Sequence, residues 1–173
     1  MALANTTRIA NRYGIDLVFH DISATGTDGD ITVDFANEVS IEITGDAVYA
    51  TGEQGHRRLV GFNNPLEGNI TISTQIMTPQ LMKLIAADDE TTNGAVFKTR
   101  PDQKYYKVTG ATVWKGEDGV TYKENLTAFK CLIQANYSAA YTGDGDPHSV
   151  DITVQMFETA EDGLIKFEFA DNT

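Results

Sequence analysis

Gly68-Asn69-Ile70-Thr71-Ile72-Ser73-Thr74-Gln75-Ile76 decides the fold of this chain. Its isoleucines fall on one side of an extended backbone, and Asn69, Thr71, Ser73 and Gln75 fall on the other. Apolar and polar residues alternating at period two describe a strand with one face in a core and one in water, which is the antiparallel pattern. Immediately afterwards the spacing changes. Thr78-Pro79-Gln80-Leu81-Met82-Lys83-Leu84-Ile85-Ala86-Ala87 places Thr as an N-cap, Pro at the first helical position, and Leu81, Leu84 and Ile85 on one stripe. The spacing predicts a single helix over about 78–87.

Working outward, the strand pattern recurs along the whole chain. Val39, Ile41 and Ile43 alternate with Glu38, Ser40 and Glu42. Phe129, Cys131 and Ile133 alternate with Lys130, Leu132 and Gln134, Ile152, Val154 and Met156 with Asp151, Thr153 and Gln155, and Ile165, Phe167 and Phe169 with Lys166 and Glu168. Shorter candidates are 15–19, 31–35, 47–51, 58–62, 95–99 and 105–114. Gly- and Asp-rich turns such as Gly116-Glu117-Asp118-Gly119 separate them. These signals predict one mainly β domain over 1–173, a β-sandwich or barrel of two antiparallel sheets with one inserted helix. Residues 1–12 are unpatterned and read as an N-terminal arm. Residues 52–68, rich in Gly and Asn around His56-Arg57-Arg58, read as a long loop or hairpin tip.

Charge is segregated. From Tyr13 to His56 there are nine acids and no Lys or Arg, and from Thr142 onward eight acids face one base, Lys166. The remaining bases lie in the first twelve residues and in the middle, and the total is −12. Charge distributed this way points to surfaces with separate roles. A net-acidic chain is a poor primary binder of nucleic acid, since phosphate contacts need concentrated Lys and Arg. No apolar run is long enough to span a membrane as a helix. The one cysteine, Cys131, cannot form an internal disulfide and fits synthesis in a reducing compartment.

Chemistry for catalysis is not visible. His20, His56 and His148 are dispersed, and with Cys131 alone they offer no zinc spacing. Cys131 falls on the apolar face of a strand and reads as a buried thiol. The Asp-rich turns at Asp28, Asp30, Asp144 and Asp146 begin like calcium loops without completing one. No cofactor, metal or enzymatic activity is expected from these residues. A glycan- or receptor-binding β-sandwich of a virion or cell surface, using the Asp-rich turns, is the alternative function class.

The stretch Gly68–Ile76 followed by Thr78–Ile85, preceded by the Val39-Ser40-Ile41-Glu42-Ile43-Thr44-Gly45-Asp46 strand and a long loop, resembles the phage major tail tube protein family. That family includes the tubes of contractile particles and the ring protein of type VI secretion. The resemblance implies a homohexameric ring whose subunits join sheets side by side. Stacked rings would make a tube for DNA, with tape-measure, tail-terminator and baseplate or tip proteins as partners, and in some particles a sheath. It implies a place in the virion tail, assembled in the host bacterial cytoplasm. The residues support this picture physically: free sheet edges invite pairing with another chain, and closing a barrel from several copies removes them. Asn69, Thr71, Ser73, Gln75, Asp151, Thr153 and Gln155 are the lumen-facing candidates, because a wet wall without sticky patches needs short polar side chains. Arg8, Arg12, His56, Arg57, Arg58, Lys98 and Arg100 are the candidates for meeting acidic surfaces across copies or rings.

Overall fold

A computed structural model describes residues 9–12, 14–23, 30–33, 36–51, 58–86, 94–99, 103–134, 136–138 and 149–171. Their strands in chain order are β1 (Ile9–Arg12), β2 (Asp16–Asp21), β3 (Ile31–Val33), β4 (Ala36–Thr44), β5 (Ala47–Thr51), β6 (Arg58–Asn63) and β7 (Glu67–Thr74). After the helix α1 (Pro79–Ala86) come β8 (Tyr106–Gly116), β9 (Thr121–Ile133), β10 (Val150–Phe157) and β11 (Ile165–Asp171). The chain is mainly β with one short helix, as its alternation dictates.

All pairings between these strands are antiparallel, and the long strands β8 and β9 are the spine. One path runs β3-β2-β8-β9-β10-β7-β4, while β1 adds to the far end of β8 and β11 to the far end of β9. The two ends of that path, β3 and β4, are adjacent in sequence. Laid flat, seven strands would hold them about 29 Å apart, at about 4.8 Å per spacing. The three Cα steps from Val33 to Ala36 span at most about 11 Å. The sheet is therefore rolled until its first and last strands approach, which is the barrel form of the expected architecture. Leu17, Phe19, Val33, Ile70, Ile72, Val108, Leu126, Ile152, Val154 and Met156 fill the roll.

The helix closes this core. The Thr78 hydroxyl accepts from the Leu81 N–H at 3.1 Å, and Leu81, Leu84, Ile85 and Ala86 are buried. These are the cap and the stripe that the sequence predicts. The β8–β9 turn is equally local in origin. Gly119 takes φ +79°, a conformation open to glycine at little steric cost. Asp118 accepts from the Tyr122 hydroxyl at 2.6 Å and from the Val120 N–H at 2.9 Å. Those two bonds, the Tyr122 bond foremost, hold the Asp118 carboxyl below its ordinary value of 3.8. A depressed folded-state pKa contributes stability above the unfolded value that is lost as pH falls through the folded one. Asp118→Asn is therefore expected to destabilise the protein at neutral pH and to flatten the fall in stability below about pH 4. Urea melts of both proteins across acid pH check this, and parallel curves at every pH would contradict it.

Three features depart from the sequence expectations. Residues 9–12, assigned to the arm, are strand β1 paired with β8. Within 52–68, the strand candidate at 58–62 is present as strand β6 (58–63), which pairs with β5 and continues the β4–β7 hairpin beyond a break at 45–46 and 64–66, where the Asn64 N–H reaches the Asp46 carbonyl at 3.0 Å. The rest of that segment that read as loop, 52–57, lies outside the described residues. Residues 95–99 form no strand. Finally, the alternation of β9 changes phase. Leu126 and Ala128 are buried, then Cys131 and Ile133, because Phe129 and Lys130 form a bulge between the Tyr106–Cys131 and Val108–Ala128 pairs. Phe129 is consequently only half-buried and does not share a face with Cys131.

Candidate assembly surfaces

The sheet brings the lumen-facing candidates together. β7 pairs with β10 so that Asn69 lies opposite Gln155, Thr71 opposite Thr153, and Ser73 opposite Asp151. Residues directly opposite in a ladder share a face, and here it is the face turned away from Ile70, Ile72, Ile152 and Val154, all buried. Ser73 donates to the Asp151 carboxylate at 2.6 Å, with the Ser149 hydroxyl 2.8 Å from Ser73, which fixes one end of the row. Gln75 does not belong to it. β7 stops at Thr74, whose hydroxyl bonds the Ile76 backbone N–H and carbonyl, each at 3.2 Å, so the chain bends and Gln75 and Ile76 are both exposed.

Sequence reading missed the third column of this face. β4 flanks β7 on its other side, with Glu38 opposite Ser73, Ser40 opposite Thr71, and Glu42 opposite Asn69. The three strands carry Glu38, Glu42, Glu67 and Asp151 and no Lys or Arg. The result is a largely polar surface three strands wide whose charged residues are all acidic. The acid-only run before His56 was its signal, but the pairing of β4 with β7 was needed to place those acids beside the Thr and Ser rows.

The rest of the sheet is mixed in charge. β1, β2, β8, β9 and β11 hold Arg12, Lys107, Lys115, Lys123, Lys130 and Lys166 against five acids, Asp16, Asp21, Glu124, Glu168 and Asp171. Glu124 is buried and accepts from the Trp114 indole N–H. Lys130 stands 4.3 Å from the centre of the Tyr105 ring, and Tyr105 meets Phe157 of β10 edge-on. That cation–π contact marks the seam between the strands of mixed charge and the acidic face.

Arg8, His56, Arg57 and Arg100 lie outside the described residues. Arg12 sits on β1 opposite Trp114, Arg58 on β6 opposite Thr51, and exposed Lys98 follows Phe97, whose ring stacks on Tyr137.

Two features carry catalytic residue types. His20 Nδ1 lies 2.8 Å from Asp30, and Nε2 lies 2.8 Å from the Thr109 hydroxyl. The order matches an acid–base–nucleophile relay. However, Thr109 is mid-strand, paired with Val18 of β2 on one side and Thr127 of β9 on the other. Its backbone is committed to ladders rather than aimed at a reacting oxygen. The relay ties the β2–β3 corner to β8. Cys131 is fully buried, which pushes its thiol up to about 12 and makes it unreactive. Among the described residues no group of three His, Cys, Asp or Glu could hold a metal, and no helix is long and apolar enough to cross a membrane.

No protein-family model and no curated protein matches the sequence. Solved structures do. A chain of the six-fold symmetrised cryo-EM structure of the anti-feeding prophage baseplate is similar at TM-score 0.50 and 10% identity, over 94% of this chain and 95% of that one. A crystal structure of an Hcp protein is similar at TM-score 0.39 and 11% identity, over 94% of this chain and 99% of that one. The first is a likeness of fold spanning nearly the whole of both chains, and it accords with the tail-tube resemblance carried by Gly68–Ile85.

Proposed function

We propose that this protein is a structural subunit of a phage-tail-type tube and carries no catalytic activity. Six copies close into a ring by joining free sheet edges, and rings stack into a channel. The observation that carries this reading is the acidic face of β4, β7 and β10, with its columns of Glu38, Ser40 and Glu42, of Asn69, Thr71 and Ser73, and of Asp151, Thr153 and Gln155. Duplex DNA carries about one negative charge per 1.7 Å of axis. A channel wall of short polar side chains and carboxylates repels it at close range, so DNA slides past without being held. At 0.1 M salt the screening length is about 10 Å, which confines the effect to charges near the DNA surface. The fold shared with a chain from a six-fold symmetrised prophage baseplate supports the reading. Tape-measure, terminator and baseplate or tip proteins, and in some particles a sheath, are the proposed partners, and the virion tail is the proposed location.

Negative-stain microscopy of the concentrated protein tests this. Six-fold rings or tubes are expected, and wild-type tubes should not retain duplex DNA. Tubes of a Thr71→Lys, Thr153→Lys double variant should retain it at low salt and release it as salt rises. A protein that stays monomeric at every salt and concentration overturns the proposal.

A further inference from the structure

Two long strands of the sheet each pair on one side only. β4 pairs with β7 alone over Ala36–Thr44, and β11 pairs with β9 alone over Ile165–Asp171. At nine and seven residues they are the longest one-sided strands among the described residues. Such an edge offers a row of backbone N–H and C=O groups to a strand laid beside it. On β4 the opening is also a groove. A space of about 250 Å3 lies between Gly14–Ile15 and the Ala36–Ile41 part of the strand. Its apolar lining, Ile15, Ala36, Val39 and Ile41, packs against the core and is only partly buried. On β11 the excess is of the opposite kind. Phe167 and Phe169 lie opposite Leu126 and Glu124 of β9, both buried, so the two rings stand on the core side of the sheet, yet each is 37% exposed. Trp114 meets Phe169 edge-on at 6.1 Å.

The two edges match residue by residue. The core side of β4 carries Val39, Ile41 and Ile43, opposite Ile72, Ile70 and Gly68 of β7, and the core side of β11 carries Ile165, Phe167 and Phe169. The other faces carry Glu38, Ser40 and Glu42, and Lys166, Glu168 and Ala170. Antiparallel is the sense of every pairing in the sheet. In that sense one register sets Ile165 against Ile43, Phe167 against Ile41 and Phe169 against Val39. It also sets Lys166 against Glu42, Glu168 against Ser40 and Ala170 against Glu38 on the polar face. A slip of one residue turns the apolar set of one strand toward the polar face of the other. A slip of two in either direction sets Glu168 against Glu38 or Glu42, and like charges directly opposite are destabilising. Lys166 holds Glu168 of its own strand at 2.8 Å, and in this register it stands beside Glu42 as well. Within one copy β7, β10 and β9 separate β4 from β11, so the match is met only between copies.

We propose that β11 of one copy adds to the free edge of β4 in a second copy in this antiparallel register, with Phe167 and Phe169 filling the groove beside Ile41 and Val39. The contact is heterologous, each subunit using a different edge on each side, as ring closure requires. It rests on the tube reading and names the strands and the register that join its subunits.

The test uses full-length proteins with one added cysteine each, and Cys131, fully buried, stays silent. Glu42→Cys and Lys166→Cys, mixed and oxidised under assembly conditions, should give a disulfide-linked dimer that neither gives alone. Lys166→Cys should not link to Glu38→Cys, which a parallel pairing would set opposite it. Nor should it link to Glu168→Cys, which a pairing of two β11 edges would set opposite it. A link to either of these, or none to Glu42→Cys in assembled protein, overturns the contact. Independently, Lys166→Glu should raise the concentration needed for assembly at least about threefold, as a like-charge pair directly opposite in a ladder does. Adding Glu42→Lys in the same chain should restore it. Loss of the Lys166–Glu168 pair alone would not be repaired from β4, so failure of the rescue overturns the contact. Rings without the Glu42–Lys166 link leave the tube reading intact and remove only this contact. The link in open ribbons that never close removes the ring and keeps the contact.

Discussion

Phe19→Ala is expected to lower the free energy of unfolding by about 3–5 kcal/mol, the range for deleting a buried aromatic ring. Phe19 is completely buried on β2, and its ring meets Tyr106 of β8 edge-on at 6.4 Å and 83°. It is among the largest buried side chains, and the rolled sheet surrounds it with strands that are paired on both sides. β2 pairs with β3 through Leu17, Val18 and Phe19 and with β8 through the same residues. Neighbours held in two ladders cannot collapse into the space the ring leaves, so the cavity term adds to the lost transfer term. For a chain of this size the midpoint of thermal unfolding should fall on the order of 10 °C. Val18→Ala, one residue away on the opposite face and half-buried, should cost far less. Calorimetry of the two variants decides it: similar shifts would mean that Phe19 does not organise the core.

Buried parity of this kind was legible in the sequence for β7 and β10, and its limits are instructive. Ile70 with Ile72, and Ile152 with Val154, gave the buried parity of β7 and β10 directly, because alternation is a property of each strand alone. The helix was legible for the same reason, since Thr78, Pro79 and the Leu81–Leu84–Ile85 stripe act within one turn or two. Strand order was not legible. β7 pairs with β4 in a local hairpin and with β10 some eighty residues later, and nothing in either stretch names the other. The polar rows of β7 and β10 were therefore found singly, whereas their adjacency and the Glu38–Ser40–Glu42 column required coordinates. The bulge at Phe129 and Lys130 was hidden because one inserted residue leaves both flanking patterns intact and only changes which face they join. The basic residues show the same limit from the other side. Arg57-Arg58 stood out as neighbours in sequence, but Lys115, Lys123 and Lys166 look solitary until β8, β9 and β11 are laid side by side.

Gly68, the residue that opens the deciding stretch, carries the second large effect. It occupies an inward position of β7, opposite Ile43 of β4 on one side and Met156 of β10 on the other. A Cβ there would stand 2.6 Å from Met156 Cε, 2.8 Å from the Glu42 carbonyl oxygen and 3.2 Å from Leu164 Cδ2. These contacts differ in kind. The methionine end can swing aside, since its side chain is flexible and adaptable. The Glu42 carbonyl belongs to the β4 backbone and moves only if the strand moves. Gly68→Ala therefore sets the conformational gain of replacing glycine, about 0.5–1 kcal/mol, against a forced shift of β4. Gly68→Val adds two methyl groups against the same carbonyl and should cost about 3 kcal/mol, the upper part of the overpacking range. The displaced strand holds Glu38, Ser40 and Glu42 on the face proposed to line a channel, so assembly should fail together with stability. Hydrogen exchange at residues 41–44 reports on β4 directly and should accelerate in the valine variant. A coupled substitution separates the two contacts. If Met156 were the main obstacle, Met156→Ala would make Gly68→Ala favourable, with a coupling of about 0.5–3 kcal/mol. If the carbonyl is the obstacle, as the geometry indicates, the two substitutions should be nearly additive and the alanine variant should still loosen β4. A valine variant that melts within about 2 °C of the parent and assembles normally would show that no close approach of β4 governs this position.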